Sequence, residues 1–184
     1  VVKVGSGGHL ELSAYAPLQI AGLHWCLITT IALEEVITPK LATEQIDFFT
    51  KYIGHKGYYD LLLIHASGKI FYSVRHQADY GTNILSGKYA DSNLGKLVQS
   101  VLQTKTFAIS DYGLYGPSNN LPAAFLAQPV LQGEQVELIV VLQLSDDSLN
   151  KVMQQRAGLG ESGETYLVGN DNLMRSNSFL GHDT

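Results

Sequence analysis

The alternation of apolar and polar residues between positions 58 and 144 predicts a run of strands. Residues 58–64 read as one strand, 66–69 (ASGK) as a turn, and 70–75 as its hairpin partner. A further strand is expected at 106–111. A second hairpin follows, 122–131 and 136–144, across Gln132, Gly133 and Glu134. In its last strand Val136, Leu138, Val140, Leu142 and Leu144 share one face, while Ile139 and Val141 lie on the other. A strand apolar on both faces belongs at the centre of its sheet. The polar stretch 76–90, with Gly81 and Gly87, reads as loop with a short helix, and 112–120, rich in Tyr, Gly, Pro and Asn, as a loop.

Helical periods separate these strands. Residues 33–53 read as a helix whose stripe is Ala42, Ile46, Phe49 and Ile53, with Gly54 and Gly57 ending it. Thr38 and Pro39 look like a cap and a first-turn proline, or else a kink in one longer helix. Asp91 or Ser92 caps a helix that buries Leu94, Leu97, Val98 and Val101. Ser145, Asp146 and Asp147 open a third, with acids where the helix dipole favours them and a stripe of Leu149, Val152 and Met153. Ahead of all these, 9–18 and 24–32 read as two strands joined by 19–22. The order helix, hairpin, helix, strand, hairpin, helix predicts an α+β fold: a five-stranded antiparallel sheet flanked by helices, the PAS-like architecture.

Composition narrows the chemistry. The 184 residues suffice for one domain, or one domain and part of another. Net charge is −5 and the twelve Lys and Arg are scattered, which argues against a nucleic-acid partner. Cys26 is the single cysteine, so no internal disulfide framework or multi-cysteine zinc site is expected; its apolar neighbours suggest a buried thiol. The apolar stretch 18–33 contains His24 and is too short to span a membrane as a helix. No signal peptide opens the chain, and its abrupt start at Val1 reads as that of a piece of something longer.

A GxGxxG lies at Gly158, Gly160 and Gly163. It follows a helix and precedes an expected strand, the reverse of a dinucleotide fingerprint, so Gly158 reads as a helix stop. His9 and Glu11, two apart on one strand, lack an apparent third metal ligand, and no nucleophile stands at triad-like spacing from a histidine. No catalytic residue, metal or cofactor is therefore expected. The binding candidates are Tyr72, Arg75, Asp79, Tyr80, Asp111, Tyr112, Tyr115, Asn120 and Phe125: aromatic walls close to acids and amides suit a small polar ligand. Equally, Tyr72 reads as core and 112–120 as a surface loop.

With these residues in hand, the chain resembles the double Cache sensor domains of bacterial methyl-accepting chemotaxis proteins, sensor histidine kinases and related cyclases. The matching phrases run in family order over nearly the whole chain: 57–64 (GYYDLLLI), 78–83 (ADYGTN), 89–95 (YADSNLG), 110–112 (SDY), 115–119 (YGPSN), 122–125 (PAAF) and 158–175. One part is out of order. Residues 12–18 (LSAYAPL) and 22–25 (GLHW) resemble the end of a membrane-proximal module, which in the family follows the phrase found here at 163–168 (GETYLV). The resemblance thus implies three parts: 1–37, the C-terminal part of a proximal-type module; 38–157, a complete distal-type module; and 158–184, the N-terminal part of a proximal-type module. The two incomplete parts, strand 164–169 and the hairpin 9–32, are expected to complete one small sheet, within the chain or with a neighbour.

His65 stands where relatives usually place an acid, and the Tyr–Arg–Trp amine-binding pattern of amino-acid sensors is absent. By resemblance the chain is the periplasmic part of an inner-membrane receptor that binds a small molecule without catalysis. It is expected to form a homodimer through the N-terminal helix and to signal by moving that helix. A ligand-free structural spacer and an enzyme on a PAS-like scaffold are the alternatives.

Overall fold

A computed structural model describes residues 2–5, 10–20, 22–38 and 46–181. In chain order the elements are β1 (Val2–Val4), β2 (Leu10–Ile20), β3 (Leu23–Ala32), α1 (Leu33–Ile37), α2 (Phe48–Lys56), β4 (Asp60–His65), β5 (Ile70–Ser73), α3 (Asn93–Thr104), β6 (Ala108–Ile109), β7 (Gly113–Tyr115), β8 (Leu121–Ala123), β9 (Phe125–Gln132), β10 (Gln135–Gln143) and α4 (Asp146–Met153). The strands between 60 and 143 form a five-stranded antiparallel sheet in the order β5-β4-β10-β9-β6. The last strand lies at the centre, as its two apolar faces predict, and pairs with the first, a PAS-like order.

β10 shows why. Ile139 and Val141 are fully buried on one face, packed with Leu62, Ile64 and Phe125 under Leu94, Leu97, Val98 and Val101 of α3. Leu138, Val140 and Leu142 point the other way, toward Ile53, Phe49 and Tyr72. The Ser92 hydroxyl caps α3 by accepting from the Gly95 N–H (3.1 Å).

The expected helix over 33–53 is not one element. α1 stops at Ile37, and α2 starts afresh because the Asp47 carboxylate accepts from the Thr50 N–H (2.9 Å). Gly54 lies inside α2, and Gly57, at φ 77°, ends it. Pro39 and Ala42 lie outside the described residues, and Ile46 is exposed. α4 forms where its acids predict, but Val152 of its stripe is 62% exposed. It ends at Met153, so Gly158 (φ 84°) is a turn residue further on and not the helix stop. No helix among the described residues is long and apolar enough to cross a membrane.

The two ends of the chain differ most from expectation. β2 and β3 pair along their whole length, and β1 adds to β2. Yet Leu12, Leu18, Ile20, Leu23, Trp25, Leu27 and Ile31 all lie open on one face, and Cys26 is exposed where burial was expected. Residues 164–169 are not a strand: their only ladder contact is the single bridge Val168↔Met174. Tyr166, Leu167 and Val168 are exposed, and no described strand pairs with them or with the outer edge of β3. The expected small sheet therefore does not form within the chain.

Candidate functional site

Polar side chains collect where the inner face of the sheet meets the segments after β5 and β6. Gln143 and Asp60 face each other across β10 and β4, and Gln143 also faces Phe125 on β9. Both polar groups are buried, as are Ser73, Ser118 and Asp79. Buried polar groups need partners, and most of these have them. The Gln143 amide donates to the Ser118 hydroxyl (3.0 Å), which donates to Gln77 Oε1 (3.2 Å); the Gln77 amide donates to the Tyr59 hydroxyl (3.2 Å). Asp60 accepts from the Ser73 hydroxyl (2.8 Å) and from the Leu61 and Arg75 N–H groups (2.7 and 3.2 Å).

Asp79 is different. It is 1% exposed, and its Oδ2 accepts from the Tyr115 hydroxyl at 2.5 Å, but its Oδ1 has no partner among the described residues. Burial raises its pKa, against the opposing pull of the Tyr115 hydrogen bond and, after it, of the backbone N–H groups of Asp79 and Tyr80. Burial also raises Asp60, and the charge of Asp79 adds to the effect, so two carboxyls sense each other inside the module. Tyr115 is fully buried, its ring 4.9 Å from that of Phe125 and 6.4 Å from that of Tyr89.

Seven of the nine candidates from the sequence fall into three places. Asp79, Tyr115 and Phe125 meet at this inner site. Tyr72 and Tyr80 tie the helices to the sheet: the Tyr72 hydroxyl donates to Asp47 (3.0 Å), and the Tyr80 hydroxyl donates to Glu34 Oε2 (2.5 Å). The His76 ring joins the second of these, 3.2 Å from Glu34 Oε1. Burial pushes the Asp47 carboxyl up, but hydrogen bonds from Thr50 and Tyr72 outweigh it and leave the pKa lowered.

Asp111 and Tyr112 belong to the third place, a cleft of about 590 Å³ between the module and residues 171–181. The Arg175 guanidinium grips Asp111 with two hydrogen bonds of 2.8 Å and holds its carboxyl down at about 2. The Tyr112 hydroxyl is buried without a partner among the described residues. Arg75 and Asn120 are exposed: Arg75 lies over the Tyr59 ring at 4.0 Å, and the Asn120 N–H donates to the Tyr115 carbonyl (3.1 Å).

Sequence reasoning passed over Asp60, Gln77, Ser118 and Gln143. One signal was available for Gln143: it shares the parity of Ile139 and Val141, so a polar group stands at a buried position. The GxGxxG turn binds a cation within its own chain. The Arg156 guanidinium donates to the carbonyls of Gly160 (3.0 Å), Glu161 (2.5 Å) and Gly163 (3.2 Å). A phosphate loop would present N–H groups instead. His9 lies outside the described residues, and among those described no three His, Cys, Asp or Glu side chains gather as for a metal.

No protein-family model matches the chain. Over 144 residues it is 26% identical to a protein of Sinorhizobium fredii (strain NBRC 101917 / NGR234) named "Probable chemoreceptor y4sI". That match covers 76% of this chain but spans only 18% of the relative's length. Among solved structures, the sensor domain of the histidine kinase DctB of V. cholerae aligns over 59% of this chain and 39% of its own, with a TM-score of 0.44 and 13% identity. The sheet order defines the class as a PAS-like α+β fold. Over the matched residues the chain is similar to part of that probable chemoreceptor.

Proposed function

We propose that the module at 38–157 is the ligand-binding part of the extracytoplasmic region of a membrane-anchored receptor. Its ligand is a small polar molecule that donates hydrogen bonds. One observation carries this reading: Asp79 is a buried carboxyl with one oxygen held by Tyr115 and the other without a hydrogen bond of normal geometry among the described residues. An unpaired buried acceptor costs ~1–3 kcal/mol, which an amine or hydroxyl seated against it would recover. The chemoreceptor relative supports the receptor setting.

A route outward exists in the chain itself. Tyr80, the next residue after Asp79, holds Glu34 of α1. A ligand that moves Asp79 therefore acts on α1, provided it binds two arrangements with different affinity. α2 turns Phe48 and Tyr52 outward, and in this reading they form the homodimer face. The close packing of Tyr115 on Phe125 favours a second reading, a ligand-free spacer whose inner site is filled by its own rings.

Thermal-shift measurements on the full chain against amines, polyols, organic acids and nucleobases separate the two. The expected result is a rise in midpoint with an amine or polyol that Asp79→Ala abolishes while the variant still melts cooperatively. A midpoint that no class moves supports the spacer.

A further inference from the structure

Asp60 sits inside a tight turn. β5, the edge strand of the five-stranded sheet, ends at Ser73, and the chain then folds back over β4 through Val74, Arg75 and His76. The buried Asp60 carboxyl holds this turn from within: Oδ2 accepts from the Ser73 hydroxyl (2.8 Å) and Oδ1 from the Arg75 N–H (3.2 Å). A hydroxyl has one proton to give. Ser73 gives it to Asp60, so its lone pairs are free to accept the His76 N–H (3.0 Å).

His76 stands at φ 47°, in the left-handed region that residues with a Cβ avoid. Such a backbone persists only where its surroundings hold it. Three contacts do so here. The N–H lies on Ser73, the ring stands edge-on to Tyr80 with centroids 4.3 Å apart, and Nε2 is 3.2 Å from Glu34 Oε1 on α1. The two partners of His76 belong to opposite sides of the sheet. Asp60 alternates with Leu61 and so shares the α3 face of β4 with Leu62 and Ile64. Leu33 and Ile37 of α1 pack on the other face, with Leu61 and Leu63. One residue at the sheet edge thus joins a buried carboxyl, through its backbone, to a helix across the sheet, through its ring.

We propose that His76 is a positioning residue, a hinge through which the hold of Asp60 on Ser73 sets whether Glu34 keeps α1 docked. When the Ser73 hydroxyl releases the amide, φ relaxes by about 110° toward its ordinary helical value. That rotation carries the ring away from Glu34, which is left with the Tyr80 hydroxyl on its other oxygen. Tyr80 follows Asp79, so Glu34 receives one line from each of two buried carboxyls. The hinge deepens the route from the inner site to α1, and its use as a signal rests on that reading.

Amide exchange resolved by NMR on the full chain tests the hinge without any ligand, so its outcome is separate from that of the thermal-shift screen. The reporter is the Thr38 N–H, which closes α1 on the Glu34 carbonyl (2.9 Å). The control is the Lys105 N–H on the Val101 carbonyl (2.8 Å), at the end of α3. Ser73→Ala removes the hydroxyl. His76→Gly keeps a left-handed backbone without strain but has no ring. Each should speed Thr38 exchange by about three- to fivefold, the worth of a partly exposed contact such as His76 with Glu34, and leave Lys105 unchanged. The double variant should exchange no faster than His76→Gly alone, because Ser73 acts on α1 through the ring. Ser73→Cys, close in shape and a weak hydrogen bonder, should act in the same direction and replaces the alanine variant if that one does not fold. Thr38 exchange at the parent rate in His76→Gly, or in both Ser73 variants, overturns the proposal. So do effects that multiply in the double variant. A rise at Lys105 equal to that at Thr38 overturns it too, since Ser73 would then serve general stability alone.

Discussion

At the scale of single residues, Asp79 holds the most unusual chemistry of the described chain. Its folded pKa lies above the ordinary carboxylate value because burial penalises the charge more than Tyr115 repays it. A raised pKa means that the folded state binds the proton more tightly than the unfolded one. The stabilisation is therefore complete below the unfolded value and is lost as pH rises through the folded one. Asp79→Asn removes the titration while keeping an acceptor for Tyr115. The melting midpoints of the two proteins should agree near about pH 4, and the parent should fall below the variant as pH rises toward about 7. A gap that does not change with pH would mean that Asp79 is not the titrating group. Asp60 shares the direction and is raised further by the Asp79 charge, so the gap reports Asp79 together with its effect on Asp60. Asp79 was legible in the sequence as an acid beside tyrosines. Its pairing with Tyr115, 36 positions later, was not, because only the sheet order brings the two segments together.

At the scale of elements, two helical glycines look alike in sequence and should respond oppositely to alanine. Gly→Ala within a helix usually stabilises by about 1 kcal/mol. Gly54 in α2 has open space where a Cβ would point, so Gly54→Ala should give roughly that gain. Gly95 in α3 sits against the backbone of Ala90, and an added Cβ would fall 2.7 Å from the Ala90 carbonyl carbon. Backbone cannot swing aside as a side-chain end can, so Gly95→Ala should destabilise by ~1–3 kcal/mol. Urea unfolding of both variants reads the two signs, and a stabilised Gly95→Ala would show that the 90–95 turn is not packed as described. The same contrast shows what periodicity can and cannot reveal. The stripe of α3 was readable because Leu94, Leu97, Val98 and Val101 meet a sheet that covers them. The break between α1 and α2 was not: a stripe of apolar residues carries across it, while the deciding event is a single carboxylate turning back onto Thr50.

At the scale of the molecule, the described residues form one covered five-stranded sheet and, in β1–β3, one whose faces lie largely open. Alternation predicted the strands of the hairpin correctly, since pairing along a hairpin is local. Burial of Cys26 was misjudged because burial depends on what lies over the face, and none of the described residues covers it. The opposite face of the hairpin, shared by Leu18 and Leu27, carries its own reporter. Trp25 is the only tryptophan in the sequence, and it is 59% exposed. In dilute solution its emission should be that of a hydrated indole, readily quenched by acrylamide. A blue-shifted emission that acrylamide barely quenches would mean that something covers this face and that the hairpin is not packed as an open sheet.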